Sequence, residues 1–295
     1  MSLVVNHNLM AANSSRYLNT HYKALSDSTR KLSSGLRVET AADDAAGLAI
    51  RELMRADIAA LNQGVRNAND GISLIQTADG ALGVIDEKLV RMKELAEQAA
   101  TGTYDSTQRL IIDSEYQQMA SEITRIANAT DFNGIKLLDG NLSSDTHDGT
   151  GLVSTGKLKI HFGTANDSAE DYYYIQIGDS TASALGVGNA NGGSAGHDIS
   201  TQANAQKALD AINNAIVSKD NIRAHLGALQ NRLENTITNL EVQSENLQSA
   251  ESQISDVDVA TEMTNFVRNQ ILTQSAVSML GQANSLPQMA LSLIG

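Results

Sequence analysis

Apolar residues recur at helical spacing through most of this chain, and both ends carry such stripes. Near the start, Leu18, Tyr22, Leu25, Thr29 and Leu32 follow steps of four and three. Near the finish, Val259, Met263, Phe266, Ile271, Val277 and Leu280 draw a looser stripe, followed by Met289, Leu291, Leu293 and Ile294. This spacing predicts amphipathic helices. Chain ends are usually frayed and polar. Ordering a residue costs about 1–2 kcal/mol of backbone entropy, and burying a Leu returns roughly 1.5–3 kcal/mol. A one-striped terminal helix alone in water gains too little to hold itself. The two ends are expected to pack on each other, or on copies of themselves in other subunits.

The longest helix is predicted from about Ala45 to Ala99. Met54, Ile58, Leu61, Val65, Ala68, Ile72 and Ile75 alternate steps of four and three. Ala78, Leu82, Ile85, Leu89, Met92 and Ala96 continue the alternation after a double step of three. This is a heptad seam with a local slip, in a helix about 70–80 Å long. Gly64, Gly71, Gly80 and Gly83 lie inside it, and each costs up to ~1 kcal/mol relative to Ala. Close helix approach would compensate; the alternative is a tolerated weak spot. A shorter helix is predicted from Ser106 to Ala127, with Leu110, Tyr116, Met119, Ile123 and Ile126 inward.

Asp131-Phe132-Asn133-Gly134 predicts a turn, because Asn-Gly favours positive φ. The centre then changes character. Leu158, Ile160 and Phe162 alternate with Lys157, Lys159 and His161, and Tyr173, Ile175 and Ile177 give a second strand. Asn166-Asp167-Ser168 between them predicts a β-hairpin. Gly186 to Gly196 reads as a flexible loop. Helix resumes near Thr201, where Leu226, Leu229, Leu233, Ile237, Leu240, Leu247 and Ile254 carry a second heptad-like stripe. The expected fold is mainly α: a long antiparallel, coiled-coil-like bundle with a small β-hairpin insert.

Composition narrows the function. With 41% hydrophobic residues but only 3% aromatic ones, the core is built of Leu, Ile, Val and Ala. The one proline, Pro287, leaves the long helices uninterrupted. A net charge of −13 argues against a nucleic-acid surface. Between Gly140 and Gly196, Lys157 and Lys159 face six carboxylates, as on a solvated outer surface. The absence of cysteine excludes disulfides and thiolate chemistry. It fits either plain low cysteine usage or a chain exported unfolded. Met1 to His7 has neither a basic segment nor a long apolar run, so no cleaved secretory signal is expected, and no apolar run is long enough to span a membrane. Taken alone, these features predict a cytoplasmic protein.

No catalytic constellation emerges. His7, His21, His147, His161, His197 and His225 are scattered, with none four residues from another. Asp43-Asp44 reads as a pair of helix-opening carboxylates rather than a metal or acid–base pair. The Gly186–Gly196 stretch lacks a phosphate-loop pattern. Tyr172-Tyr173-Tyr174 reads as a strand with surface tyrosines, lacking the cations that a base-stacking platform needs. No enzyme activity, cofactor or metal is expected.

Four blocks are recognisable. Leu32-Ser33-Ser34-Gly35-Leu36-Arg37 with Ala41-Ala42-Asp43-Asp44-Ala45-Ala46-Gly47-Leu48-Ala49-Ile50 closely resembles the N-terminal signature of bacterial flagellin. Gln282-Ala283-Asn284-Ser285-Leu286-Pro287-Gln288, followed by Leu291-Ser292-Leu293, resembles the C-terminal one. Asp256-Val257-Asp258-Val259-Ala260-Thr261-Glu262 and Asp131-Phe132-Asn133-Gly134 resemble two more. The blocks stand in family order over nearly the whole chain. The ending Ile294-Gly295 departs from relatives that close on a basic residue, and the short middle leaves no room for large outer domains.

The resemblance implies a filament subunit for swimming motility, polymerised through its terminal helices. Residues 1–44 with 256–295 would form an inner tube lining an export channel (D0), and 45–255 the surrounding layer (D1), with the hairpin region at about 135–196. Leu18, Tyr22, Leu25, Leu32, Met263, Phe266, Ile271 and Leu280 would be the inner-tube residues. The implied partners are further copies of the chain, the flagellar type III export apparatus, and filament cap and junction proteins. A cytosolic chaperone would cover Phe266, Ile271, Leu280 and Leu291. Export by that route, without a cleaved signal, replaces the cytoplasmic expectation with an extracellular one. Arg91, Leu95 and Glu115 match family positions that contact Toll-like receptor 5. The alternatives are a hook–filament junction protein, which shares flagellin-like termini, and a cytoplasmic signalling coiled coil.

Overall fold

The structure, a computed structural model, describes residues 8–150, 155–168, 170–188 and 198–294, without the side chains at 286–288 and 290–294. The expectations for the side chains of Leu291, Leu293 and Ile294, and for most of the Gly186–Gly196 loop, lie outside these residues. The elements in order are α1 (Leu9–Ser34), α2 (Ala45–Ala100), α3 (Ser106–Ala129), β1 (Asp131–Phe132), β2 (Ile135–Lys136), β3 (His147–Asp148), β4 (Thr155–Gly156), β5 (Leu158–His161), β6 (Tyr172–Ile175), α4 (Gln202–Ser255) and α5 (Val259–Ile294). They form two compact units. One holds Met1–Ile58 and Glu245–Gly295; the other holds Ala59–Ser244.

The core lies in the Ala59–Ser244 unit. Leu74 and Leu95 are buried beside the α2 seam, whose own buried positions are Leu61, Gly64, Ala68, Gly71, Ile75, Ala78, Leu82, Ile85, Leu89, Met92, Ala96 and Ala99. These alternate steps of three and four without interruption. The slip predicted from sequence is therefore absent. Val65 and Ile72, which the apolar spacing puts on the seam, are half-buried and flank a seam that passes through two glycines. α4 answers with Ala205, Ala208, Ile212, Ala215, Lys219, Leu226, Leu229 and Leu233, all buried. Asp79 pairs with Arg223 and Asp86 with Lys219, so α2 and α4 run antiparallel.

α3 adds Ile112, Tyr116, Ala120, Ile123 and Ala127 to this core. Leu110, predicted inward, is exposed, as is Ile111 beside it. The helix is closed at its start by a reciprocal cap between Asp105 and Gln108. Burial pushes the Tyr116 phenol well above the ordinary tyrosine range, with Asp113 and Asp198 adding to the shift.

Asn133 and Gly134 both take positive φ, 50° and 82°, in the predicted turn joining β1 to β2. β5 and β6 form the predicted hairpin, with Ile160 opposite Tyr173 and Leu158 opposite Ile175. The short β3–β4 pair has no signal in the sequence. The glycines of α2 divide into distinct kinds. A Cβ at Gly64 would lie 2.0 Å from the Phe162 carbonyl oxygen, so the close approach is to the hairpin backbone rather than to another helix. A Cβ at Gly71 would make ordinary contacts with Ile160 and Leu233. At Gly80 and Gly83 it would meet nothing within 4 Å. Gly80→Ala is accordingly expected to stabilise the chain by about 0.5–1 kcal/mol, and Gly64→Ala to destabilise it. Thermal unfolding of the two variants beside wild type measures both signs.

Candidate assembly surface

The terminal helices α1 and α5 pack on each other in the Met1–Ile58 and Glu245–Gly295 unit. Asn8 caps α1 by accepting from the Ala11 amide at 3.0 Å, and its Nδ2 donates to the Ala283 carbonyl at 2.8 Å. At the other end Leu36 bridges Asp256 antiparallel. The two helices therefore run antiparallel. The covered face of α1 is Ala11, Ser14, Leu18, His21, Leu25, Ser28 and Leu32; that of α5 is Glu262, Phe266, Asn269, Thr273, Ala276, Leu280 and Ala283. Both follow a heptad rhythm. Every second or third layer is small or polar, so this seam is weaker than an all-leucine one.

The eight proposed inner-tube residues thus fall into two sets. Leu18, Leu25, Leu32, Phe266 and Leu280 are half-buried in the seam within one subunit, whereas Tyr22, Met263 and Ile271 are exposed. His21 and Ser28 hold the seam positions that the sequence pattern gave to Tyr22 and Thr29. The outward side exposes large apolar residues among polar ones. It carries Met10, Tyr17 and Tyr22 from α1, and Val259, Met263, Val267, Ile271, Leu272, Val277 and Met279 from α5. Met263, Thr264, Val267, Arg268, Ile271 and Leu272 line one shallow groove. Met10, Asn13, Ser14 and Tyr17 form a second with Met279, Gln282 and Ala283.

The segments that join the terminal helices to α2 and α4 are held by backbone pairing. Gly35 closes α1 in a left-handed conformation (φ 73°), donating to the Lys31 carbonyl at 2.9 Å. The Val257 amide donates to Gly35, and the Arg37 amide to Ser255. The Arg37 guanidinium reaches the Ile254 carbonyl at 2.7 Å, and buried Arg51 donates to the Val38 carbonyl at 2.6 Å. Asp258 opens α5, accepting from Ala260, Thr261 and the Thr261 hydroxyl. These bonds hold its carboxyl below the usual range, the Thr261 hydroxyl contributing most.

Asp43 and Asp44 divide the role predicted for them jointly. Asp44 caps α2, accepting from the Ala46 and Gly47 amides. Asp43 caps nothing in α2. It takes a bidentate bond from Arg30 at 3.0 and 3.1 Å, and bonds from the Thr40 amide and hydroxyl. Arg30 also binds Glu39 at 3.0 Å. The bond from Arg30 is the largest influence holding the Asp43 carboxyl far below the ordinary range.

In the other unit, Arg91 donates to Glu115 at 2.8 and 3.0 Å and to Glu94 at 2.9 Å, all at an exposed surface. Leu95 is 1% exposed, inside the core with Ile112 and Tyr116. Its assignment as a surface contact is therefore corrected, since a partner could reach it only by parting the helices. The three tyrosines are also arranged differently from the prediction. Lys159 lies 3.6 Å from the centre of the Tyr172 ring and Lys157 lies 4.6 Å from that of Tyr174, so cations are supplied from across the hairpin. Tyr173 packs against Phe162 and under Arg232. Among the described residues no cluster of His, Asp and Glu could hold a metal ion, and no helix is long and apolar enough to cross a membrane.

Paired terminal helices with large exposed apolar side chains, beside a unit with a closed helical core, define a self-assembling structural subunit. Comparison with known proteins gives the family. The profile of the bacterial flagellin N-terminal helical region matches residues 5–143, and that of the bacterial flagellin C-terminal helical region matches residues 209–294. A flagellin of Halalkalibacterium halodurans is 43% identical, over 99% of this chain and 100% of its own length. The flagellar filament 33 kDa core protein of Treponema phagedenis is 41% identical, over 99% and 100%. The crystal structure of a Bacillus cereus flagellin covers 63% of this chain and 94% of its own, at 30% identity and a TM-score of 0.47. The chain belongs to the bacterial flagellin family. It is a structural subunit of the extracellular flagellar filament, not an enzyme, and it polymerises with itself.

The Arg30–Asp43 clamp predicts a pH dependence. A carboxyl with a depressed folded pKa stabilises fully above the ordinary carboxylate range, and the contribution is lost as pH falls through the depressed value. At pH 7 the Asp43→Asn variant should exchange the Thr40 amide proton faster than wild type. The two rates should converge only as pH falls through the depressed Asp43 value, well below the ordinary carboxylate range. Hydrogen exchange across this range reads both outcomes.

Proposed function

We propose that the outward apolar face of α1 and α5 is the polymerisation surface, and that residues 1–44 and 256–295 form the inner tube of the filament. The supporting observation is the concentration of exposed Val, Ile, Leu and Met on α5, opposite a seam already occupied by α1. Association costs roughly 4–15 kcal/mol in lost freedom before any gain. One exposed side chain cannot offset that, but a face carrying Met263, Val267, Ile271, Leu272, Val277 and Met279 can. Before assembly the same face would suit an export chaperone, with Ile271 presented directly and Phe266 and Leu280 reachable once α1 lifts away. Passage through the type III export apparatus, and contact with cap and junction proteins, belong to the same reading.

Ile271→Asp tests the surface, because it changes an exposed residue and leaves the α1–α5 seam intact. The variant should keep the helical content of wild type by circular dichroism yet fail to sediment as filaments after seeding. Normal pelleting would remove Ile271 from the subunit contact. Leu25→Asp and Leu280→Asp should also block polymerisation, but with loss of the seam itself, visible as faster proteolysis of the termini.

A second reading rests on the exposed Arg91–Glu115 pair, which joins α2 to α3. We propose that the free subunit activates Toll-like receptor 5 through this pair. Arg91→Ala should lower potency by about thirtyfold, the effect of a central arginine contact. A reporter-cell titration measures it, and equal potency would leave Arg91 an ordinary surface charge.

A further inference from the structure

The apolar face of the terminal helices is unusually rich in sulfur. The chain has eight methionines and neither cysteine nor tryptophan. The side chains most readily oxidised by peroxide are therefore its thioethers. Met10, Met263 and Met279 are 49%, 44% and 58% exposed, and all lie on the outward face of α1 and α5. Met10 and Met279, from different helices, line one groove; Met263 lines the other. Met92 is fully buried in the core, and Met54 and Met119 are half-buried. Met289, further along α5, is 49% exposed as well, so solvent access selects the methionines of the terminal helices over that of the core.

We propose that Met10, Met263 and Met279 are an oxidation site, at which a peroxide-class oxidant switches off polymerisation of the free subunit. The inference rests on the reading of this face as the polymerisation surface. A thioether lone pair attacks one oxygen of hydrogen peroxide, forming the S–O bond as the O–O bond breaks. The proton on the transferred oxygen passes to the departing hydroxide, which leaves as water. Sulfur is oxidised by two electrons and the peroxide is reduced by two. The product replaces a flexible apolar group with a strongly polar S=O acceptor. The donors beside Met263 are Thr264 and Arg268, and those beside Met10 and Met279 are Asn13, Ser14, Tyr17 and Gln282. A sulfoxide must recruit one of them or be buried unpaired, and either outcome disturbs a contact fitted to an apolar thioether. Once subunits have assembled, the same sulfurs are shielded. The switch acts on subunits before incorporation and spares the finished filament.

The experiment treats purified monomer with hydrogen peroxide, maps sulfoxide by peptide mass spectrometry, and measures the critical concentration for seeded polymerisation by sedimentation. Met10, Met263 and Met279 should oxidise well before Met92, and circular dichroism should be unchanged. The critical concentration should rise about tenfold or more. Sulfoxide reductases of both epimer classes should restore it without any substitution, and preformed filaments should be protected at the three positions. A triple Met→Leu variant should polymerise normally and resist peroxide. Complete sulfoxide at all three positions with unchanged polymerisation would overturn the proposal, as would lost assembly that reductases fail to restore. The Ile271→Asp result separates the two readings. If that variant is blocked while oxidised protein assembles, only the methionine proposal fails. If Ile271→Asp also assembles, the surface itself was misassigned.

Discussion

The structure depends on one constraint: side chains on packed helices must recur every 3.5 residues to stay on a single seam. In the Ala59–Ser244 unit that requirement is met over twelve successive positions of α2, and the facing positions of α4 are mainly Ala, Ile and Leu. Glycine at two of the α2 positions belongs to the same device. At Gly64 the missing side chain admits the Phe162 backbone, which brings the β5–β6 hairpin down onto the helix. Lys219 is the exception in the α4 seam. Its side chain is 2% exposed, and its ammonium is held by Asp86 at 2.5 Å and Asp220 at 2.8 Å. A buried charge is tolerated only with such partners, and this one ties the register of α4 to α2.

The α1–α5 seam obeys the same period with different chemistry. Ser14, His21 and Ser28 on one helix, and Asn269, Thr273 and Ala276 on the other, occupy positions where α2 and α4 carry mostly apolar side chains. The terminal pair accordingly buries little apolar surface of its own. Its larger apolar side chains are turned outward, where a single subunit gives them no cover. Local order is supplied instead by hydrogen bonds: the backbone Leu36–Asp256 bridge and Gly35 cap, and the side-chain Arg30–Asp43 clamp, fix where α1 ends and α5 begins. Hydrogen bonds set the geometry of the pair, and its larger apolar side chains stay uncovered within one subunit.

Much of this was legible in the sequence, and the errors share a cause. Helices, the Asn133-Gly134 turn and the β5–β6 hairpin follow from periodicity and turn chemistry that act over a few residues. Seam membership does not. A pattern of apolar letters passes over Gly64, Gly71, His21 and Ser28, because none of them looks like core. It then recruits Val65, Ile72, Tyr22 and Thr29, which lie one step away. Leu95 failed for the complementary reason. It stands beside the α2 seam, not on it, and it is buried only because α3 packs there and widens the covered face. Leu110 was placed inward by its hydrophobicity alone. Asp43 and Asp44 are adjacent and chemically identical, and only the position of Arg30, thirteen residues upstream of Asp43, separates a clamp from a cap.

That division explains how one chain can be both a stable subunit and a component that needs its neighbours. A core closed on itself resists exchange with other molecules, as a filament wall requires. A surface that must be recognised by identical copies has to remain unsatisfied until they arrive. Placing both in one seam would force a compromise, since every apolar residue turned inward is lost to assembly. Here the polar layers of the α1–α5 seam remove that competition. The helices pair with enough specificity to fix their register, yet leave Val267, Ile271, Leu272 and Val277 on the outside. With that face as the proposed polymerisation surface, weak packing within the terminal pair is the condition for strong packing between subunits.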